Sequence, residues 1–179
     1  MGPKQESMEK VIQVLNRMQA DGIIERFAIG GGIAAIYYLQ PYHTDDIDVF
    51  ISPVILGQSG LVSLELVYGY LEKLGYLPVK EGVLIEDWRV QFVPAFAAVQ
   101  EEAIAQARRV EYGETHTFIF SAEHLGAELL RSGRLKDHVR VIDLIESNKM
   151  DLKMFRDIID RHGLTEKWKE FVSRYDLED

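Results

Sequence analysis

The chain opens with a helical pattern of apolar residues and continues with a short strand pattern. Between Glu6 and Ala20 the apolar residues recur at helical spacing, which predicts an amphipathic helix that ends at Asp21-Gly22. Residues 23–29 then have a strand pattern. Three consecutive glycines, Gly30 to Gly32, predict a turn into a short, strongly apolar helix over residues 33–39, which we expect to be buried.

A second strand pattern, over residues 47–51, is preceded and interrupted by acids. It follows a predicted loop over residues 40–44 with a turn at Pro41. Because residues i and i+2 of a strand point to the same face, about 6.6 Å apart along the chain, Asp46 and Asp48 project together. The apolar residues between them face a core. Asp45 stands immediately before this pair, so a strand register shifted by one residue is the alternative.

The middle of the chain alternates further helix and strand patterns, and its last third is helical. The predicted elements are a helix over 61–74, an edge strand over 77–80, strands over 83–86 and 88–93, a helix over 97–108, a turn over 111–114 and a strand over 115–120. Helices then run from residue 121 to residue 175, with Ser121, Asp151 and Thr165 as expected N-caps.

These patterns predict an α/β (α+β) fold, in which a mixed sheet is flanked by helices and a C-terminal helical part packs on it. We expect an α/β core over residues 1–120 and a helical subdomain over residues 121–179. No segment rich in Pro, Gly and Ser separates the two parts, which favours packing over independent movement.

Composition and charge narrow the class of protein. The 179 residues include no cysteine, which excludes disulfides and thiolate metal sites. The N-terminus has no apolar signal region, and no apolar run reaches about 18 residues, so we expect a cytoplasmic protein without a membrane span. The net charge of −9 argues against nonspecific nucleic-acid binding, which needs a basic surface.

The acid pair and the glycine turn are the candidate chemistry. Two carboxylates on one strand face bind hard cations such as Mg²⁺ or Mn²⁺, and two such ions assist phosphoryl transfer. A glycine turn that leads into a helix exposes backbone N–H groups where a phosphate can bind. Each feature also has a plain structural interpretation, as a solvated acidic face or a tight turn. The glycines match neither a G-x-G-x-x-G fingerprint nor a P-loop.

The order of strand, glycine turn, short helix, loop and Asp-x-Asp strand resembles the nucleotidyltransferase superfamily, which has the DNA polymerase β-like fold. The resemblance implies that Asp46 and Asp48 are metal ligands and that Gly30 and Gly31 form the phosphate-side turn. Gly32 is an additional glycine. Thr44 stands where members of the superfamily often carry a small hydroxyl residue.

The superfamily has a third carboxylate on a neighbouring strand, and this chain departs from that pattern. The position that alternates correctly in the strand over residues 88–93 is Gln91, whose amide has an oxygen but no charge and cannot act as a base. Glu86 or Asp87 would serve only if the strand began earlier. The alternative interpretation of Gln91 is an ordinary polar strand residue.

A later helix carries a lysine and an acid that extend the resemblance. The Lys136-Asp137 pair is similar to an element of the AbiEii-type toxins of bacterial toxin–antitoxin pairs and related proteins, which implies that both residues face the active site and contact the nucleotide. The alternative is a solvated helix face in which Arg140 and Asp143 pair at i, i+3 spacing.

Two functions therefore stay open. The first is a metal-dependent nucleotidyltransferase, with Asp46, Asp48, Gln91 and Lys136 in the catalytic site, that transfers a nucleoside monophosphate from an NTP to an acceptor hydroxyl. The second is a catalytically degenerate member of the same fold that binds a nucleotide or a partner protein, as in a toxin–antitoxin-like pair. Gln91 favours the second function.

Overall fold

The computed structural model describes residues 3–39, 43–52, 55–56, 61–62 and 64–177. The predicted turn at Pro41 lies outside these ranges. Within them no helix is both long and apolar enough to cross a membrane. The described elements are α1 Pro3–Ala20, β1 Phe27–Ile29, α2 Gly31–Tyr38, β2 Asp46–Ile51, β3 Ile55–Leu56, β4 Leu61–Val62, α3 Glu65–Lys73, β5 Pro78–Val79, β6 Gly82–Ile85, β7 Trp88–Pro94, α4 Ala98–Ala105, β8 Arg108–Tyr112, β9 Thr115–Ile119, α5 Ala122–Ser132, α6 Leu135–Glu146, α7 Leu152–Arg161 and α8 Thr165–Tyr175.

The acidic strand β2 lies at the centre of a seven-stranded mixed sheet. The strand order is β5-β6-β7-β2-β1-β9-β8. β2 pairs antiparallel with β1 and parallel with β7, and β1 pairs parallel with β9. Since both edges of β2 are paired, its acids stand in the most constrained part of the sheet. This arrangement confirms the predicted fold class.

The two faces of β2 differ in burial, as the alternation predicts. Ile47, Val49 and Ile51 are almost completely buried. Asp46 and Asp48 are only partly buried and lie on the opposite face. Helix α1 covers the apolar face and contacts β7 and β9. The acids are therefore on the face away from α1, beside α2.

Helix α5 connects the C-terminal helices to the sheet. It contacts α2 and α4, which pack on the sheet, and also α6, α7 and α8. Its apolar residues Leu125, Ala127, Leu129 and Leu130 are all buried. The helical part thus packs on the α/β part, as expected, while the division of the chain at residue 120 stays a prediction.

Two helix boundaries differ from the prediction because strands form at their ends. Helix α3 begins at Glu65 rather than residue 61, since Leu61–Val62 pairs with Ile55–Leu56 in a separate two-stranded sheet. Helix α4 ends at Ala105, and β8 then forms a hairpin with β9. β8 is an edge strand with exposed charged residues. Its apolar residues alternate too weakly for the sequence to predict a strand there.

The N-caps are predicted with mixed success. The Ser121 hydroxyl accepts a hydrogen bond from the His124 backbone N–H (3.2 Å), and the Asp151 carboxylate accepts from Lys153 and Met154 N–H, so both caps are confirmed. The prediction for Thr165 is wrong, because Thr165 is the first residue of α8 and its hydroxyl donates to Asp160 instead.

A polar cluster around Glu102 ties α4 to α5 and α7. Arg161 donates to both carboxylate oxygens of Glu102, while His162 Nε2 lies 2.6 Å from Oε2 and His124 Nε2 lies 3.1 Å from Oε1. The hydrogen bonds from Arg161, helped by those from the two histidines, lower the pKa of Glu102 from its ordinary value of 4.5 to about 2 despite desolvation. The charged form of Glu102 is therefore stabilised by folding.

This cluster predicts a pH-dependent stability. A carboxylate whose pKa is lower in the folded protein than in the unfolded chain stabilises the fold at pH values above the unfolded pKa. This stabilisation is lost as the pH falls through the folded pKa. We expect Glu102→Gln to reduce the free energy of unfolding at pH 7 by about 1–2 kcal/mol. The deficit relative to the wild type should shrink between about pH 4.5 and pH 2, as measured by urea unfolding at each pH.

The control for this prediction is Glu166→Gln, which removes an exposed pair with Lys169. Glu166→Gln should change the free energy of unfolding by no more than about 0.5 kcal/mol. Burial also lowers the pKa of His124, so the wild type and Glu102→Gln both lose stability on acidification. The prediction therefore concerns the difference between their free energies of unfolding. A deficit of Glu102→Gln that is the same at every pH would contradict the prediction.

Candidate active site

The candidate site is built on a very close contact between Asp48 and Gly31. Gly31 has φ +52°, and a Cβ atom added to it would lie 1.8 Å from Asp48 Oδ2. A side chain at this position would therefore displace the carboxylate, and the backbone conformation independently favours glycine. The Gly32 backbone N–H also hydrogen bonds to the Asp48 carboxylate. Asp48 thus lies against the N-terminus of α2.

The other two glycines also allow close approaches, although less close than at Gly31. Gly30 is the N-cap of α2, and a Cβ on it would lie 2.6 Å from the Phe50 ring. Its N–H donates to the Asp48 backbone carbonyl (2.9 Å). A Cβ on Gly32 would lie 2.7 Å from Thr44 Oγ1. The structure therefore places Thr44 beside the glycine turn and gives the additional glycine, Gly32, a clear steric reason.

Asp46 lies next to Asp48 on the same face and is paired with an arginine. Arg89 Nε donates to Asp46 Oδ1 (2.7 Å), and its Nη2 lies 2.5 Å from the same oxygen. The two residues are register partners on β2 and β7. Asp45, the competing acid, precedes the strand and pairs with Lys4 and His43 instead.

Gln91 occupies the strand position directly beside Asp48. The parallel register of β2 and β7 makes the two residues Cα partners, so their side chains leave the same face of the sheet. The upstream alternative is wrong: Glu86 and Asp87 lie in the turn between β6 and β7, where Glu86 contacts Lys10 and Tyr76. The position beside Asp48 therefore has an amide and no carboxylate.

The start of α6 brings positive charge to the acids. Burial raises the pKa of Asp48, and the nearby Asp46 adds to the rise, whereas the positive charges of Arg134 and Lys136 oppose it. Arg134 is the N-cap residue of α6 and Lys136 lies in its first turn. Both side chains are exposed, so they are available to an anion that enters the site.

Asp137 is fully buried behind these cations. Its side chain is 0% exposed and accepts hydrogen bonds from Ser132 Oγ (2.7 Å), Arg134 Nε (2.6 Å) and Arg140 Nη1 (3.3 Å). A buried carboxylate that accepts from three donors holds those donors in place. Asp137 therefore orients Arg134, and its expected contact with a nucleotide stays a prediction.

The donor set around Asp46 and Asp48 fits a magnesium ion that is shared with a substrate. Two carboxylates and the amide oxygen of Gln91 leave one face of neighbouring strands, and Mg²⁺ is commonly held by one or two carboxylates together with substrate phosphates. Among the described residues, no group of three or more His, Cys, Asp and Glu is arranged to hold a metal without such help. Arg89 competes with an ion for Asp46.

Sequence reasoning missed Arg89 and Arg134. Arg89 had a usable signal, because it alternates with Gln91 on the same strand and must share its face. Arg134 had none, since it stands before the Lys136-Asp137 pair that the sequence singles out, and only the packing of α6 brings it near Asp48.

Comparisons with known proteins support the fold. No protein-family model and no curated protein matches the chain. The crystal structure of an antigenic nucleotidyltransferase-like protein from Paracoccidioides brasiliensis is similar, with 15% identity, a TM-score of 0.61 and coverage of 94% of this chain and 88% of that chain. This similarity shows a nucleotidyltransferase-like fold.

Two structures of the antibiotic-resistance factor ANT(2'')-Ia are more distant. The solution structure has 20% identity and a TM-score of 0.46, covering 97% of this chain and 93% of that chain. The crystal structure, in complex with adenylyl-2''-tobramycin, has 20% identity and a TM-score of 0.47, covering 97% and 99%. Neither score is high enough to support a conclusion about this chain. The similarity to the AbiEii-type subgroup stays a prediction.

The glycine–carboxylate contact predicts a strong substitution effect. We expect Gly31→Ala to lower the free energy of unfolding by at least about 2 kcal/mol, because the left-handed backbone is strained and the Asp48 carboxylate is displaced. Gly69→Ala is the matched control: Gly69 lies within α3 and has nothing within 4 Å of its added Cβ. It should stabilise the protein by about 0.5–1 kcal/mol. Urea unfolding measures the change in the free energy of unfolding for each variant. Equal changes in the two variants would contradict the predicted effect of the Gly31–Asp48 contact.

Proposed function

We propose that this protein is a metal-dependent nucleotidyltransferase that transfers a nucleoside monophosphate from an NTP to an acceptor hydroxyl. The observation that carries the proposal is the position of Asp48. Its carboxylate lies against the glycine turn at the N-terminus of α2 and next to Asp46. The positive charges of Arg134 and Lys136 act on it from the start of α6. Groups that bind metal, phosphate and negative charge therefore converge on one place.

Each group has a role in the proposed reaction. Asp46 and Asp48, with the Gln91 oxygen, hold Mg²⁺ or Mn²⁺, which neutralises phosphate charge when bound. The turn Gly30–Gly32 and the Thr44 hydroxyl border the phosphates. Arg134 and Lys136 bind non-bridging phosphate oxygens, and Asp137 orients Arg134.

The chemistry is a displacement at the α-phosphorus. The acceptor oxygen forms a bond to that phosphorus, the bond to the β-phosphate oxygen breaks, and pyrophosphate leaves. Gln91 cannot accept the hydroxyl proton, which passes to water. Positioning and electrostatic stabilisation supply most of the rate in such reactions.

A second candidate is a degenerate protein that binds a nucleotide, or a partner protein in a toxin–antitoxin-like pair, without turnover. Two observations favour it. The position beside Asp48 is occupied by an amide, and the neighbouring Asp46 is already neutralised by Arg89. Both features weaken metal binding, which phosphoryl transfer requires in the first candidate.

Thermal unfolding with each NTP, with and without Mg²⁺, tests the shared nucleotide site. At an NTP concentration of about 100 times Kd, we expect the midpoint to rise by about 5–10 °C when Mg²⁺ is present. Asp46→Asn and Asp48→Asn should abolish the part of this rise that depends on Mg²⁺. Asp45→Asn is the matched control, since Asp45 pairs outside the site, and it should respond as the wild type does.

The outcomes separate the candidates. If no NTP moves the midpoint with or without Mg²⁺, the nucleotide site is refuted for both. Turnover then distinguishes them: radiolabel from [α-³²P]NTP that is transferred to an acceptor in a lysate, and is absent with Asp48→Asn, identifies an enzyme. Binding of Mg-NTP without transfer under the same conditions favours the degenerate protein.

The metal affinity of two variants tests the assignments of Gln91 and Arg89. Gln91→Glu adds a carboxylate beside Asp48, and Arg89→Ala frees Asp46, so each should raise the affinity for Mn²⁺ by about tenfold. Electron paramagnetic resonance of free Mn²⁺ measures the affinity. Arg109→Ala, which removes an arginine paired with Glu111 on an edge strand, is the control. Unchanged affinity in Gln91→Glu would refute the placement of Gln91.

A further inference from the structure

A small pocket lies between helices α5, α6 and α8, in the C-terminal helical part. Its wall is formed mainly by Gly133, His138, Lys167, Glu170, Phe171 and Arg174. The pocket has a volume of about 170 Å³. Sites for drug-sized molecules usually start at roughly 300 Å³, so this pocket suits a ligand of only a few heavy atoms.

The wall of this pocket has a net positive charge. Lys167 donates to the Arg131 carbonyl (2.7 Å), which uses one of the three protons of its ammonium group. Arg174 forms no ion pair with a residue in the described ranges. Glu170 contributes the one carboxylate among the described residues that line the pocket. Two cations therefore face one anion, even when His138 is neutral.

His138 is the buried polar residue of the pocket. It is only 7% exposed, and its ring packs edge-on against Phe171 and Tyr175. Its Nδ1 lies 2.9 Å from the Tyr175 hydroxyl. Since Tyr175 is not part of the pocket wall, Nε2 is the ring nitrogen left for a ligand there. When the Tyr175 O–H donates to Nδ1, the neutral ring carries its proton on Nε2 and is a donor.

The charges around His138 favour the entry of an anion. Burial lowers the pKa of His138, and the positive charges of Arg174 and Lys167 lower it further, whereas Asp137 raises it. The two cations of α8 therefore repel a proton on the ring. An anion between them and the ring would offset this repulsion and stabilise the imidazolium.

The pocket is separate from the acid site. Lys136 and His138 are two residues apart on α6, which places them about 200° apart around the helix axis. Lys136 acts on Asp48, whereas His138 contacts α8. The proposed nucleotidyl transfer uses neither His138 nor the cations of α8.

We propose that this pocket binds a small divalent oxyanion, inorganic phosphate or sulfate. Lys167 and Arg174 pair with its charge, and His138 Nε2–H donates to one of its oxygens. Charge-assisted hydrogen bonds of this kind are about twice as strong as neutral ones. The ion bridges α8, which supplies both cations, and α6, which supplies the imidazole.

Sulfate is the first probe, because it stays a dianion throughout the range in which histidine titrates. Long-range ¹H–¹⁵N spectra of protein labelled with ¹⁵N-histidine follow each imidazole, and the His138 resonances are assigned by their loss in His138→Gln. Sodium chloride keeps the ionic strength constant, so that screening does not change during the titration. We expect sulfate to shift the His138 resonances and to move their titration midpoint to higher pH. His116, which does not line the pocket, should not respond.

Substitutions of exposed residues on α8 separate this pocket from other anion sites, and isothermal titration calorimetry measures their affinities. Lys167→Gln and Arg174→Gln should each weaken sulfate binding about tenfold, the effect of losing one charge-assisted hydrogen bond. Glu170→Gln removes the negative charge of the wall and should strengthen binding about threefold. Arg109→Gln, which removes a cation from the edge strand β8, is the control and should change the affinity by less than about twofold.

Glycerol 3-phosphate tests whether the oxyanion belongs to a larger molecule. It carries the same phosphate group as an ester. Because the pocket is small, the glycerol part should gain no contacts, and we expect the ester to bind no more tightly than inorganic phosphate does.

Three results would overturn the proposal. The first is that sulfate at constant ionic strength moves no His138 resonance. The second is equal sulfate affinity in the wild type, Lys167→Gln and Arg174→Gln, which would place the ion elsewhere, for example beside Arg134 and Lys136. The third is that glycerol 3-phosphate binds at least about tenfold more tightly than phosphate, which would make the ester rather than the free ion the ligand.

Discussion

The contact between the Asp48 carboxylate and the glycine turn determines how the centre of this protein is arranged. No side chain fits at Gly31, where a Cβ would lie 1.8 Å from Asp48 Oδ2. In turn, the backbone carbonyl of Asp48 accepts from Gly30 and its carboxylate accepts from Gly32. β1, the turn, α2 and β2 are thereby joined at one residue. The backbone N–H groups and nearby cations oppose the desolvation of this carboxylate only in part, so burial still raises the pKa of Asp48.

The charges around this contact balance locally although the chain as a whole is strongly acidic. Arg89 pairs with Asp46, and the amide of Gln91 adds no charge beside Asp48. Arg134 and Lys136 then make the surroundings favourable for an anion. A site with a third carboxylate would depend more on metal ions for neutrality. Here protein cations supply part of that charge, which agrees with the proposed binding of an anionic nucleotide beside the acids.

The C-terminal helices contribute to the site through their packing. The buried Asp137 holds Arg134 at the start of α6, and the Glu102 cluster joins α4, α5 and α7 at another point. Both carboxylates are multiply hydrogen bonded, and such networks define the relative positions of helices more sharply than apolar contacts do. The cations near Asp48 are therefore positioned by the helical part rather than by the sheet that carries the acids.

The sequence alone determined the features that depend on local periodicity. The two-residue repeat of β2 places Asp46 and Asp48 on one face, the three glycines mark the turn into α2, and the alternation of β7 selects Gln91, because each depends only on near neighbours in the chain. Only the tertiary structure decided that Arg89 pairs with Asp46 and that Arg134 lies near Asp48. These residues are far apart in sequence, and strand register and helix packing bring them together.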